Sequence, residues 1–247
     1  MTGLDDIRAA YERGDHELVL RLTDAVLVER PGDDAAHEFR ARAFLALGHP
    51  AEAERHAADA VRLDPDEIRY RELLAQVLSA EGAHRDAATE FARLARNDPR
   101  QTTWTVAEAE ERLGAAQAGM GVDAARRAVR LAPRNGRAQL ALSHALARTG
   151  DARGAFQAAT LATELLPGDA SALEALADAQ WLASDDATAF EAYRALFGTL
   201  DGADADRVSA KARTLYRQHA GIGGRLVAAI GPLFALAFGH GWLRIGA

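Results

Sequence analysis

The chain has 247 residues, of which 49% are apolar but only 6% aromatic. It is long enough to bury a substantial core, and its abundance of alanine sets a helical expectation. The absence of cysteine excludes disulfides, thiolate metal sites and cysteine nucleophiles. The formal net charge of −7 is unevenly spread: residues 207–247 hold six of the 29 basic side chains and none of the 36 acidic ones, a division expected of two segments in different surroundings.

The N-terminal stretch MTGLDDIRAAYERGD has neither a basic n-region nor an apolar h-region, so cytoplasmic residence is expected for the bulk of the chain. Lys211 is the only lysine beside 28 arginines, a bias expected of the GC-rich coding sequence of a bacterium. From there the chain is punctuated. Five of the seven prolines, Pro31, Pro65, Pro99, Pro133 and Pro167, are spaced 34 residues apart. Each closes an amphipathic run, where proline cannot continue the helical hydrogen-bond ladder.

Seventeen residues before each proline stand Gly14, Gly48, Gly82, Ala116 and Gly150. Glycine there fits a short turn between two helices, since it accepts positive φ at a helix C-terminus. The row 24 before the proline is Ile7, Ala41, Ala75, Ala109 and Ser143. Twelve before it come Val19, Ala53, Ala87, Gly121 and Ala155, and five before it Val26, Ala60, Leu94, Ala128 and Ala162. Mostly small rows predict crossings where two backbones approach closely. Phe44, Leu78, Leu146, Phe91 and Phe156 are expected to fill the wider gaps. The fourth unit, with Ala116 at the turn and Gly119 and Gly121 nearby, predicts a lengthened or bent turn. Leu173, Ala177, Ala189, Tyr193 and Leu196 continue the apolar rows into a sixth unit that lacks its proline.

A 34-residue helix–turn–helix unit with small residues in each helix, a turn glycine and a closing proline resembles the tetratricopeptide repeat. The likeness covers about residues 1–200; the family's early tryptophan is missing from most units, and Trp104 lies one place off its register. The resemblance implies an all-α fold, a right-handed superhelical solenoid of about six hairpins followed by C-terminal helices. It also implies a non-enzymatic scaffold whose first helices line a concave groove for a protein or peptide partner. Projected onto this sequence, one groove row is Arg8, Arg42, Gln76, Glu110, His144 and Asp178. A second includes Glu38, Glu72 and Glu174. Such a groove would be basic at its N-terminal end and acidic towards the other. The carboxylate clamp of co-chaperone relatives needs lysine and asparagine; the only asparagines are Asn97 and Asn135, at hairpin ends, so chaperone-tail binding is not expected. Tyr11 and Trp181 lie near the groove but at core spacing, and packing is their expected role.

No catalytic constellation, cofactor motif or metal motif emerges. The eight histidines (His16, His37, His49, His56, His84, His144, His219 and His240) contain no HExxH and no close pair at metal-ligand spacing. The acidic doublets Asp5–Asp6, Asp33–Asp34 and Asp185–Asp186 are expected to start helices. The stretch from Asp201 to Asp206 lacks an EF-hand's closing glutamate, and Gly221–Arg225 lacks the Walker spacing and lysine. An acidic array disfavours nucleic acid.

Residues 201–222 read as a basic helix and linker, with Arg207, Lys211, Arg213 and Arg217. Residues 223–247 read as an apolar C-terminal helix. The eighteen residues Leu226 to Leu243 carry no formal charge, near the lower limit of about 17–25 for a bilayer span. Arg225, Leu226, Ile230, Leu233, Phe234, Phe238 and Trp242 would supply its anchors and apolar surface. Two readings stay open: a membrane segment that tethers the repeats to the inner face of the cell membrane, or a soluble cap or homodimer contact.

Overall fold

The computed structural model describes residues 3–183, and everything below concerns those residues; the expected remainder of the sixth unit, with Ala189, Tyr193 and Leu196, and the segments 201–222 and 223–247 lie outside them. Eleven α-helices follow one another with no strand among the described residues. They are α1 (Leu4–Glu12), α2 (His16–Glu29), α3 (Asp34–Ala46), α4 (Pro50–Leu63), α5 (Ile68–Glu81), α6 (His84–Asn97), α7 (Thr102–Gly114), α8 (Ala118–Leu131), α9 (Gly136–Arg148), α10 (Ala152–Leu165) and α11 (Ala170–Leu182). Five hairpins and the first helix of a sixth result.

The punctuation that sets these lengths is local. The second helix of every hairpin stops two residues before its proline. The residue ahead of that proline is extended, with φ of −133° at Arg30, −133° at Asp64, −131° at Asp98, −140° at Ala132 and −125° at Leu166. Proline's Cδ excludes its predecessor from the helical region, so the ladder ends there. Side-chain oxygens then restart the chain: Asp33 accepts from the Ala36 N–H at 2.9 Å, Asn135 from Ala138 at 3.2 Å and Asp169 from Ala172 at 2.9 Å. Each satisfies one amide that the first turn leaves unpaired.

The five turns inside the hairpins share one geometry. In each, the N–H one residue past the turn position bonds back five residues: Asp15 to Ala10, His49 to Phe44, Ala83 to Leu78, Gln117 to Arg112 and Asp151 to Leu146, all at 2.8–3.0 Å. The turn residue has positive φ throughout, from 58° at Ala116 to 82° at Gly82 and Gly150. The fourth turn is neither lengthened nor bent. Ala116 adopts φ 58° and makes the same closure, because the backbone hydrogen bond outweighs the strain of placing a Cβ in the left-handed region.

The small rows lie at the helix crossings. Ala41, Ala75, Ala109, Ala53, Ala87, Ala155, Ala60, Ala128 and Ala162 are fully buried, and Ser143 is 1% exposed. Gly121 belongs to the same set: a Cβ there would come within 3.3 Å of the Ala109 carbonyl oxygen, so α8 approaches α7 more closely than alanine would allow without adjustment. Leu78, Leu146 and Phe91 are buried as expected, and Phe44 half-buried, but Phe156 is 39% exposed. Its helix, α10, packs on α9 and α11 through Ala155, Ala159 and Ala162 instead. The buried apolar groups form successive packets along the chain, not one centre. This is the mark of a one-dimensional solenoid.

Candidate partner-binding face

The helices fall into two layers. First helices touch in four of the five neighbouring pairs (α1 with α3, α3 with α5, α7 with α9, α9 with α11), α5 and α7 lacking a comparable contact, whereas no pair of second helices makes one. The layer whose members converge is the inner, concave side of the curve, and α1, α3, α5, α7, α9 and α11 therefore form it.

One register on that layer carries Arg8, Arg42, Gln76, Glu110, His144 and Asp178, one from each first helix. Arg8, Gln76 and Glu110 are exposed, and Arg42, His144 and Asp178 are half-buried. The second row lies deeper. Glu38 is 5% and Glu174 8% exposed, and Glu72 is half-buried. Glu38 accepts from Arg42 Nε at 3.0 Å and faces Arg69 Nε of the next hairpin at 3.7 Å. Glu72 accepts from Trp104 Nε1 at 3.1 Å, again across a hairpin boundary. These two carboxylates thus tie successive units together, which explains how a charge is tolerated at that depth. Trp104, though off the family's register, is a cross-repeat donor.

Two exposed arginines on the same layer, Arg69 and Arg137, escaped the row reading. They stand two 34-residue steps apart, so repeating the period from another origin would have found them. Arg69 lies over the Tyr70 ring at 5.0 Å, and Tyr70 donates to Asp34 at 2.8 Å. Desolvation, aided by that bond to Asp34, pushes the Tyr70 hydroxyl up to about 12. Glu110 is raised chiefly by desolvation; Arg137 opposes this and Glu111 adds to it. An exposed carboxylate crowded by surrounding chain is what a concave surface produces. Tyr11 packs edge-on to Phe39 at 5.8 Å, and Trp181 is half-buried on α11.

The sequence contains no histidine pair at metal-ligand spacing, yet the fold makes one. His37 Nδ1 lies 3.0 Å from His56 Nδ1, nineteen residues away on the other helix of the second hairpin. Asp59 Oδ2 is 3.9 Å from His37 Nδ1. A ligand atom from each of these three residues lies within 4.8 Å of the others, which makes them a group able to hold a metal ion. The spacing search failed because it reads along one helix, and these donors come from two. Desolvation, reinforced by Arg40, His37 and Arg55, lowers His56 to about 4.

Among the described residues no helix is long and apolar enough to cross a membrane; Arg225, Leu226, Ile230, Leu233, Phe234, Phe238 and Trp242, expected to form a membrane or cap segment, lie outside them. Compared with known proteins, residues 10–77 match the family model described as tetratricopeptide repeat. No curated protein matches the chain. Solved structures share its fold. A tetratricopeptide repeat protein from Parabacteroides merdae has a TM-score of 0.71 at 14% identity, covering 95% of this chain and 96% of that one. MamA from Desulfovibrio magneticus gives 0.60 at 19%, covering 67% and 94%. YrrB, described as a TPR protein with an unusual peptide-binding site, gives 0.56 at 16%, covering 76% and 97%.

Proposed function

Starting from a chain that is a tetratricopeptide repeat protein, we propose that it is a non-enzymatic scaffold whose inner face receives an extended segment of a partner protein. The observation that supports this reading is that a polar side chain recurs once in each first helix at the 34-residue period, on helices most of which contact their counterparts in neighbouring hairpins. A row repeated once per hairpin suits a ligand that is itself extended, because each step along the array meets another part of the same chain. The description of YrrB, a neighbour in fold, as having a peptide-binding site supports the same use. Arg8, Arg42 and the exposed Arg69 supply guanidinium groups towards the N-terminal end, Arg42 and Arg69 already engaged with Glu38, and an acidic segment of the partner would compete for them. Glu110 and Asp178 reverse the sign further on.

The test is recovery of partners on immobilised full-length protein, compared with a variant carrying Arg8→Ala, Arg42→Ala and His144→Ala. The reading expects partners to be lost while helicity is retained. Unchanged recovery would remove these residues from the binding surface.

A second component concerns the tail. The uncharged run Leu226 to Leu243, preceded by basic residues without acids, supports tethering to the inner face of the cell membrane through electrostatic attraction and apolar insertion. Full-length protein should then sediment with anionic vesicles, and a chain ending at Gln218 should not. Equal partition of both would favour a soluble cap or homodimer contact.

A further inference from the structure

We propose that His37, His56 and Asp59 form a binding site for a divalent transition-metal ion, with Arg40 setting its affinity. The ligands come from both helices of one hairpin: His37 from the first turn of α3, His56 and Asp59 from α4. Three residues apart on a helix, the latter two share a face. The separations of 3.0 Å between the Nδ1 atoms and 3.9 Å from His37 Nδ1 to Asp59 bracket the roughly 3.4 Å between tetrahedral ligands at bond lengths of about 2.0–2.2 Å. All three ligand atoms lie within 4.8 Å of one another, so the widest pair draws in when they share one ion. Two imidazoles and a carboxylate suit zinc, cobalt or nickel, with a further position for water or a partner's side chain.

The surrounding bonds orient the rings. His37 Nε2 lies 3.1 Å from the Pro31 carbonyl, which can only accept, so this nitrogen carries the proton and Nδ1 presents a lone pair. Metal-bound histidines are held by that kind of outer bond. His56 stacks on Phe44, with ring centroids 5.8 Å apart and 3° between planes. The fold itself does not require an imidazole pair here. One period on, the same two places hold Arg71 and Glu90, an ion pair at 2.8 Å. Two periods on they hold Thr105 and Ala124, and three periods on Gln139 and Ala158. Gln139 keeps the bond to its own proline carbonyl, Pro133, at 3.1 Å. The proline contact therefore belongs to the repeat, whereas the facing Nδ1 atoms beside a carboxylate belong to this unit.

Arg40 opposes the ion. Its Nε donates to His56 Nε2 at 3.1 Å, which leaves the His56 proton on Nδ1, donated to His37. For an ion to bind both Nδ1 atoms, that proton moves to Nε2, and Arg40 must turn away; no proton leaves the protein. Asp24 at 3.1 Å and the Leu20 carbonyl at 3.1 Å retain the guanidinium through Nη1.

The experiment titrates cobalt(II) and zinc(II) into untagged full-length protein, following cobalt d–d absorption and calorimetric stoichiometry. One ion should bind per chain, and His56→Ala and Asp59→Asn should each weaken binding by about tenfold or more. Arg40→Gln places an acceptor oxygen the same number of bonds from the backbone as Arg40 Nε, ready to receive the Nε2 proton, and should tighten binding. Circular dichroism establishes that each variant is folded; should His56→Ala unfold, Asp59→Asn, at a solvent-accessible ligand, carries the same test. Absence of saturable binding in both the native chain and Arg40→Gln, indifference to Asp59→Asn, or weakening by Arg40→Gln would overturn the assignment.

Discussion

Ala116 occupies a turn that four other hairpins build with glycine, and it alone among the described non-glycine residues has positive φ. An L-residue there carries a strain of about 1–2 kcal/mol, partly offset by the lower entropy of alanine in the unfolded chain. Ala116→Gly should therefore stabilise the protein by about 0.5–1 kcal/mol, raising the thermal midpoint by roughly 2 °C; a lower midpoint would show that the turn is not strained. His56 makes the opposite kind of prediction. In the fold burial lowers it to about 4, below the 6.5 of an ordinary imidazole, so between those values the unfolded chain binds the extra proton. The contribution is fully present above pH 6.5 and lost as pH falls through 4. Arg40, His37, Arg55 and Asp59 face this group from α3 and α4, with Asp24 reaching Arg40 from α2. In chelator, the unfolding free energy from denaturant titrations should decline across that window by an amount on the order of 1 kcal/mol after allowance for solvent. His56→Ala should flatten the decline. Turn glycines were readable from the sequence because φ is a property of one residue. The His37–His56 pair was not, because a contact between helices depends on how they are docked.

Each hairpin is built around a crossing of small residues, and here the sequence spoke most plainly. A row such as Ala41, Ala75 and Ala109 repeats at one spacing and is fully buried at each step. Ala75→Leu would insert three more carbons where backbones meet. It should cost about 1–3 kcal/mol or more, visible as a lower denaturant midpoint, whereas the same change at Ala80, which is exposed, should be nearly neutral. Equal effects at the two places would remove the crossing from the account. The large apolar positions were less legible. Leu78 and Phe91 are buried, but Phe156 is exposed, since hydrophobicity alone does not say which face of a second helix meets its neighbours. The groove rows show the same limit. Spacing placed Glu38 and Glu72 on the first helices, but their bonds to Arg69 and Trp104 depend on the offset between hairpins, which periodicity does not contain.

In the whole molecule, stability accumulates from each unit and its interface with the next. Removing residues 1–33 should leave a helical, cooperatively melting array of lower midpoint, because the second hairpin keeps its contacts with the third. Complete unfolding of that truncation, seen by circular dichroism, would point to a single indivisible core. The same geometry divides the surface into an inner layer of first helices and an outer layer of second helices, and the functional reading rests on that division. As the chain contains no cysteine, one introduced at Gln76 on α5 or at Met120 on α8, both exposed, gives a unique attachment point. Peptides selected from an unbiased library on the native chain would be titrated against each variant carrying a bulky fluorophore. Binding lost at Gln76 and kept at Met120 is the predicted result; binding kept at Gln76 and lost at Met120 would contradict an inner-face scaffold.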